Sequence, residues 1–156
     1  MRTSVWFVRH GQTRFNQERR YQGASDSPLT AYGQRQTLAL AARLRRVPFF
    51  TALTSPSERA RRTAEAILEG RRHVTVRASS DWRETDHGHW EGLTYREVLA
   101  RYPAEAHARW AEGIHGRAGG GESLAEVYAR VTTAWHDLLR DHAGDRILVV
   151  THATPI

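Results

Sequence analysis

The chain has 156 residues, of which 40% are hydrophobic, so it is long enough to form one domain with a sizeable core. It contains no cysteine, which excludes disulfide bonds and thiolate metal ligands. Its longest early apolar run, residues 5–8, is too short for a signal peptide or a membrane span. We therefore expect a cytoplasmic protein with no membrane segment.

The formal net charge of +6 raises the question of nucleic-acid binding. All 23 basic side chains are arginine, which is more typical of a coding bias than of a surface selected for phosphate backbones. The arginines are also spread along the chain, many of them beside Glu or Asp. The composition therefore predicts no nucleic-acid partner. The alternative, a basic nucleic-acid binder, predicts steeply salt-dependent binding.

Short apolar runs predict four β-strands. Residues 4–8, 49–53 and 146–150 are rich in β-branched and aromatic residues, and residues 73–76 form a shorter run. Near-continuous apolar runs are typical of strands that are covered on both faces, as in a parallel sheet.

Helix-start signals follow these strands. After the second strand, Ser55 is a candidate N-cap, with Pro56 at the first helical position and Glu58 reaching back, and Gly70 ends the helix. Strands that alternate with helices predict an α/β fold, a three-layer α/β/α sandwich with a mostly parallel central sheet, in a single domain over residues 1–156. Further helices are predicted to begin at the capping boxes of residues 94–97 and 123–126 and to span residues 30–46, with long loops at residues 79–92 and 116–121.

Histidine and arginine side chains gather where the predicted strands end. Arg9 and His10 follow the first strand and His152 follows the last, while Arg59 lies in the first turn of the helix after Ser55. Because ligands bind at the carboxyl ends of parallel strands, we expect these groups to converge. Two imidazoles and two guanidiniums beside a helix N-terminus would suit a dianion such as phosphate.

Two other interpretations of these residues must be weighed. Paired histidines can bind a metal ion, but no carboxylate or thiolate lies at ligand spacing here, and Arg9 would repel a cation. We therefore predict neither a metal nor a cofactor. Arg59 could also be a solvated helix residue, like Arg61 and Arg62.

Residues 9–13, RHGQT, resemble the signature of the histidine phosphatase superfamily, which contains phosphoglycerate mutases and many small-molecule phosphatases. The resemblance extends in order over nearly the whole chain. The further matching positions are Asn16, Arg20, Gln22, Gly23, Asp26, residues 28–30, Gly33, Ser55, Pro56, Arg59, Ala60, Thr63, Ala64, Glu84, Asp86, Gly88, residues 90–92, residues 121–123, Arg130 and residues 150–152.

The resemblance implies a metal-independent phosphomonoester hydrolase that acts on a small phosphorylated metabolite. His10 would be the nucleophile that carries the phosphoryl group, and Glu84 would be the general acid. Asp81 and Asp86 also carry carboxyl groups and are alternative candidates for the general acid. Glu84 is preferred because it stands at the motif position. The phosphate contacts implied by the resemblance are Arg9, Arg59 and His152, with secondary contacts from Asn16, Gln22 and Gly23.

This chemistry makes demands on His10. One ring nitrogen must be unprotonated and aimed at phosphorus, and the other must be held by a hydrogen bond that fixes the tautomer. The charges of Arg9 and Arg59 should lower the pKa of His10.

Two alternative functions remain. A mutase would keep the phosphoryl group from water, and mutases of this family carry extra basic sequence after the acid-loop motif. Residues 92–120 are short here, with only four arginines, which favours hydrolysis. A catalytically silent phospho-ligand binder is the other alternative. His115 and Arg117 would either contact the remote end of the substrate or be solvated.

The chain departs from the family pattern in three places. His87 stands where an aromatic residue is common, and Ala153 stands where glycine is usual. Residues 154–155 predict a helix start, yet the chain stops at Ile156. We therefore expect a C-terminally short member that lacks the usual last elements, whose apolar sheet surface a partner subunit covers in a homo-oligomer.

Overall fold

A computed structural model describes residues 2–156, in which four strands alternate with six helices. All four predicted strands form, although two of them are shifted by up to two residues. The strands are β1 (Ser4–Arg9), β2 (Thr51–Thr54), β3 (Thr75–Ala78) and β4 (Arg146–Thr151), and the helices are α1 (Arg14–Gln17), α2 (Ala31–Leu44), α3 (Glu58–Ile67), α4 (Tyr95–Arg101), α5 (Pro103–Ala111) and α6 (Leu124–Asp141).

The strands form one parallel sheet in the order β1-β4-β2-β3, which confirms the predicted fold class. The register aligns the carboxyl ends of β1, β4 and β2, since Arg9 pairs with Thr151 and Thr54 pairs with Val150. The first residue after each strand therefore emerges at the same edge of the sheet.

Helices cover both faces of the sheet because alternate residues of β4 point to opposite sides. Leu148 and Val150 pack against α2 and α3, in a cluster that includes Leu44 and Ile67. Ile147 and Val149 pack on the other face, against α6. The result is the three-layer sandwich, with the core divided by the sheet.

A third apolar cluster lies outside the two sheet faces. Trp90, Val98 and Ala106 are completely buried together, where α4 and α5 pack against the loop that follows β3. This cluster fixes that loop beside the sheet. Within residues 2–156, no helix combines the length and apolar character that crossing a bilayer requires.

The helix starts at residues 94 and 123 are confirmed, since Thr94 and Ser123 both form complete capping boxes. Helix α2 also begins as predicted, after Thr30, whose hydroxyl accepts from the Gly33 amide. The predicted N-cap at Ser55 is wrong: α3 begins at Glu58. Helices α1 and α5 were not predicted, and residues 153–155, at the predicted helix start, form a turn.

Candidate active site

The ends of β1, β4 and β2 bring two histidines together. The His10 amide donates to the Thr151 carbonyl (3.2 Å) and the Ser55 amide to the Val150 carbonyl (2.9 Å), so the parallel pairing continues past the strand ends. The rings of His10 and His152 lie edge to face, with their centroids 5.1 Å apart. The sheet therefore brings together two imidazoles that are separated by most of the chain.

His10 has one ring nitrogen fixed and the other open. Its Nδ1 lies 2.7 Å from the Gly11 carbonyl oxygen, which can only accept, so Nδ1 carries the proton and Nε2 keeps its lone pair. The side chain is buried, at 6% exposure. Burial, together with the charges of Arg59 and Arg9, lowers the pKa of His10 to about 4, although the bond to Gly11 opposes this shift. His10 is therefore uncharged at neutral pH.

His152 is completely buried at the end of β4. Its Nε2 lies 2.7 Å from the Ser55 hydroxyl, and its Nδ1 has no hydrogen-bond partner within residues 2–156. Burial lowers the pKa of His152 to about 2, with further contributions from Arg59 and His10. If the Ser55 hydroxyl donates to Nε2, the proton of this neutral ring sits on Nδ1.

Arg59 is buried in the first turn of α3, at 2% exposure, so its interpretation as a solvated helix residue is wrong. Its terminal nitrogens donate to the carbonyls of Gly23 (2.7 Å) and Ser25 (3.0 Å) and to the Asp26 carboxylate (2.6 Å). Its Nε is buried without a partner within residues 2–156. The guanidinium charge is thus fixed close to both imidazoles. We call His10, His152 and Arg59 the histidine centre.

Asp26 gains a structural role that sequence reasoning missed. One carboxylate oxygen binds Arg59, and the other accepts from the Glu58 amide (2.7 Å) at the start of α3. Ser57, the N-cap, makes no side-chain cap bond. The first amide of the helix is therefore capped by a residue from another part of the chain. Local sequence carried no signal for this, since 32 residues separate Asp26 from Glu58.

Arg9 and Asn16 lie on the open side of His10. Both line a cavity of about 570 Å³, together with His10, Gly11 and Gln12. Arg9 is exposed. The Asn16 side-chain oxygen accepts from the Thr13 amide (3.1 Å), as part of the capping box of α1, which leaves its NH₂ group for other contacts. Both residues therefore share a cavity with His10.

Gln22 and Gly23 link the histidine centre to its surroundings. The Gln22 amide group is buried and bridges the hydroxyls of Thr13 (2.7 Å) and Ser27 (3.1 Å), so it holds the loop. A Cβ atom at Gly23 would lie 2.3 Å from the Thr85 carbonyl oxygen. Only glycine permits this close approach of two backbones.

Glu84 lies in a loop after β3; we call residues 81–86 the acid loop. Its side chain is partly buried and accepts from the Thr85 amide (2.9 Å). Within residues 2–156 no hydrogen bond joins Glu84 to His10 or His152. The loop is tied to the histidine centre through its backbone, since the Thr151 hydroxyl donates to the Trp82 carbonyl (2.5 Å) one residue before His152.

A second, smaller cavity of about 200 Å³ adjoins the acid loop. Aromatic and cationic side chains line it, among them His87, Trp110 and Arg109, and the last two carried no signal in the sequence. Burial lowers the pKa of His87, despite the nearby carboxylates, so this ring is neutral. Thr85, His87 and Trp90 each have a buried polar side-chain atom without a partner within residues 2–156. The lining of the cavity therefore includes polar side chains as well as aromatic ones.

In the glycine-rich segment, residues 116–121, the contacts of Arg117 stabilise the fold. Arg117 donates to the Gly121 carbonyl (2.7 Å) and pairs with Glu126. His115 is exposed. Within residues 2–156, no three His, Asp or Glu side chains are arranged to hold a metal ion.

The protein is thus an α/β protein whose sheet gathers two neutral imidazoles and two arginines at its carboxyl edge, where proteins of this class bind their ligands. The family model of the histidine phosphatase superfamily, branch 1, matches residues 5–156. The chain belongs to this superfamily, as its motifs indicated.

Relatives and solved structures agree with this family. Phosphoserine phosphatase 1 of Hydrogenobacter thermophilus is 36% identical over 150 residues, which are 96% of this chain and 70% of that protein. The structure of YhfR from Bacillus stearothermophilus superposes with a TM-score of 0.89 at 34% identity, over 99% of this chain and 76% of that one. A bifunctional protein of Mycobacterium tuberculosis is 37% identical over 155 residues, and the match covers 99% of this chain. The chain spans 42% of the length of that relative.

Proposed function

We propose that this protein is a metal-independent phosphomonoester hydrolase that acts on a small phosphorylated metabolite through a phosphohistidine on His10. One observation carries the proposal. His10 is buried and uncharged, its Nδ1 is bound to the Gly11 carbonyl, and its Nε2 is left as the nucleophile. A neutral imidazole fixed in one tautomer beside arginine charges suits attack on a phosphate ester.

Four side chains would hold the phosphate. Arg59 supplies a buried positive charge and Arg9 an exposed one. His152 supplies the Nδ1 that lacks a protein partner, and Asn16 supplies its NH₂ group. Catalysis of phosphoryl transfer is mostly positioning and charge stabilisation, so these contacts would account for most of the rate.

The reaction would proceed in two steps. In the first, the Nε2 lone pair of His10 forms a bond to phosphorus while the ester P–O bond breaks, and the Glu84 carboxyl gives its proton to the departing oxygen. In the second, the Glu84 carboxylate takes a proton from water, whose oxygen attacks phosphorus as the N–P bond breaks. Inorganic phosphate leaves and His10 is restored.

Hydrolysis is favoured over transfer to a second metabolite. The segment between the acid loop and α6 is short, and its Arg117 is paired with Glu126, so it is not free to bind a second phosphate group. The name of the Hydrogenobacter relative, phosphoserine phosphatase 1, supports the same choice. The substrate's remaining part would lie toward the cavity at His87 and Arg109, which offers polar contacts.

The test replaces His10 and compares it with a histidine outside the site. We expect His10→Ala to lower turnover of p-nitrophenyl phosphate by about 10⁴-fold or more, because the nucleophile is lost. His136→Ala, which changes an exposed residue of α6, should keep wild-type turnover. Phosphate released in equal amount to nitrophenol would identify water as the acceptor.

Direct trapping completes this test. Wild-type protein mixed with labelled substrate and quenched in alkaline detergent should carry label on His10, since a phosphorus–nitrogen bond survives alkali and not acid. Turnover without label on His10 would remove it from this role. Phosphate binding without turnover in the wild type would instead identify a silent phospho-ligand binder.

A further inference from the structure

A pair of charged side chains outside the histidine centre holds the acid loop. Arg130 of α6 donates from Nε and Nη2 to the two carboxylate oxygens of Glu122, at 2.9 and 3.0 Å. This two-point contact between a guanidinium and a carboxylate fixes the orientation of both groups. The side chains are 12% and 14% exposed.

Both residues of this pair also contact the acid loop. Arg130 also donates to the backbone carbonyls of Asp81 (2.6 Å) and Glu84 (3.2 Å). The Glu122 carboxylate accepts from the Asp86 amide (3.1 Å) and pairs with the Arg83 guanidinium. Four of the six residues of the loop are therefore bound by the Glu122–Arg130 pair.

The charge state of the pair is consistent with this role. Burial would raise the pKa of Glu122, but the hydrogen bonds from Arg130 and the Asp86 amide outweigh it, and the pKa is lowered. Glu122 is thus ionised at neutral pH. Removal of either partner would leave the other charge without compensation in a mostly buried place.

The acid loop has no regular secondary structure beyond one short 3₁₀ turn at Ser80–Trp82, so side-chain contacts must fix its shape. The Glu84 carboxylate itself bonds only to the next amide in the chain, within residues 2–156. The position of that carboxylate is therefore set by its own backbone. The carbonyl of Glu84 is one of the groups that Arg130 holds.

We propose that Glu122 and Arg130 are positioning residues, which hold the Glu84 backbone so that its carboxyl group reaches the leaving oxygen of the substrate. This inference rests on the proposed function, because it gives Glu84 the role of proton donor. Neither residue would touch the substrate.

A proton donor matters most when the leaving group is a strong base, so the dependence on leaving group separates positioning from general damage. We expect Glu122→Gln to lower kcat/KM for glycerol 2-phosphate by about 10-fold to 100-fold, since misplacing a general acid removes part of its effect. Turnover of p-nitrophenyl phosphate, whose leaving group needs little protonation, should fall by less than about 3-fold. Arg130→Lys, which keeps the charge but not the two-point contact, should behave in the same way.

The matched control is Glu126→Gln. Glu126 lies four residues from Glu122, caps α6 through Ser123 and pairs with Arg117, but it does not contact the acid loop. Its loss should change both substrates alike and only slightly. Circular dichroism and thermal melting would show that each variant is folded.

The Glu84→Gln variant distinguishes the inference from the function on which it rests. A selective loss with the alkyl phosphate in Glu84→Gln, but not in Glu122→Gln or Arg130→Lys, would overturn the positioning role alone. Equal losses with both substrates in the two positioning variants would also overturn it, since that indicates general damage. No selective loss in Glu84→Gln would remove the proton donor and the inference together.

A double variant gives a second measurement. If Glu122 acts through Glu84, adding Glu122→Gln to Glu84→Gln should cause no further loss with glycerol 2-phosphate, beyond about 3-fold. A further loss as large as that of the single variant would contradict the proposal.

Discussion

The histidine centre and the acid loop are anchored in different ways. His10 and His152 follow directly after β1 and β4, and ladder hydrogen bonds of the parallel sheet set their backbones. Glu84 lies in a loop whose carbonyls and amides are bound by the side chains of Glu122 and Arg130. One region depends on backbone pairing and the other on an ion pair.

This difference has a consequence for what single substitutions can do. Sheet pairing involves every residue of the strands, so no one side chain controls where His10 lies. Four of the six residues of the acid loop are held by one carboxylate and one guanidinium, so a single substitution can change the geometry of this loop. We expect proton donation to vary more among point variants than phosphate capture does.

Replacement of Arg59 should have the largest effect on the histidine centre. Arg59→Met removes the donor of the Gly23 and Ser25 carbonyls and the charged partner of the Asp26 carboxylate, and it removes the charge beside both imidazoles. We expect turnover to fall by about 10³-fold, with every leaving group alike. The free energy of unfolding, measured in urea, should fall by about 3 kcal/mol, because a largely buried pair is broken.

Arg61→Met is the matched control for that change, since Arg61 is an exposed arginine of the same helix. It should alter stability by less than about 0.5 kcal/mol and leave turnover unchanged. If the loss of turnover in Arg59→Met depended on the leaving group, as we expect for Glu122→Gln, the proposed difference between the histidine centre and the acid loop would be contradicted.

Because the buried histidines are neutral in the folded protein, the free energy of unfolding should depend on pH. We expect this effect to be smaller than that of Arg59→Met and larger than that of Ser123→Ala. Burial lowers the pKa of His10 to about 4 and of His152 to about 2, from 6.5 in an unfolded chain. Above about pH 6.5 neither state binds these protons, and below it only the unfolded state does, so stability falls as the pH falls. The slope is at most about 1.4 kcal/mol per pH unit for each histidine.

Urea melts at several values between about pH 6.5 and 4.5 would check this, since the carboxylates with lowered pKa contribute mainly below that range. His152→Gln should reduce the slope by about a third to a half, because His152 is one of three histidines whose pKa burial lowers, with His10 and His87. An unchanged slope in that variant would mean that His152 is not held neutral by burial.

The smallest effect concerns how helix starts are stabilised. Ser123→Ala breaks a capping box at the start of α6 and should lower the free energy of unfolding by about 1 kcal/mol. Ser57→Ala should change it by less than about 0.5 kcal/mol, because Ser57 makes no cap bond and Asp26 binds the first amide of α3 instead. Thermal melts of both variants would show the difference, and equal losses would contradict the capping by Asp26.

Sequence alone predicts most of what positions the histidine centre. The strands are short apolar runs that end at His10 and His152, and both patterns are local. Parallel pairing then requires that those ends meet, which the structure confirms. The capping boxes at Thr94 and Ser123 are equally local and were equally predictable.

Contacts between distant parts of the chain could not be predicted in the same way. Asp26 caps a helix that begins 32 residues later, and Arg130 holds carbonyls 49 and 46 residues before it. Neither contact produces a periodic pattern in the sequence, because each depends on where the loops lie relative to the sheet. The burial of Arg59 was hidden for the same reason, since Arg61 and Arg62 beside it are exposed.

The hydrogen bond from the Thr151 hydroxyl to the Trp82 carbonyl joins the end of β4 to the start of the acid loop. The strand and the loop are therefore joined by a hydrogen bond before any substrate arrives. Little conformational entropy is left to lose in that segment when a ligand binds, so binding energy is not consumed in ordering it. The Arg83 amide donates a hydrogen bond within the adjoining turn. It should accordingly be protected from hydrogen exchange in the free protein as well as in the phosphate complex.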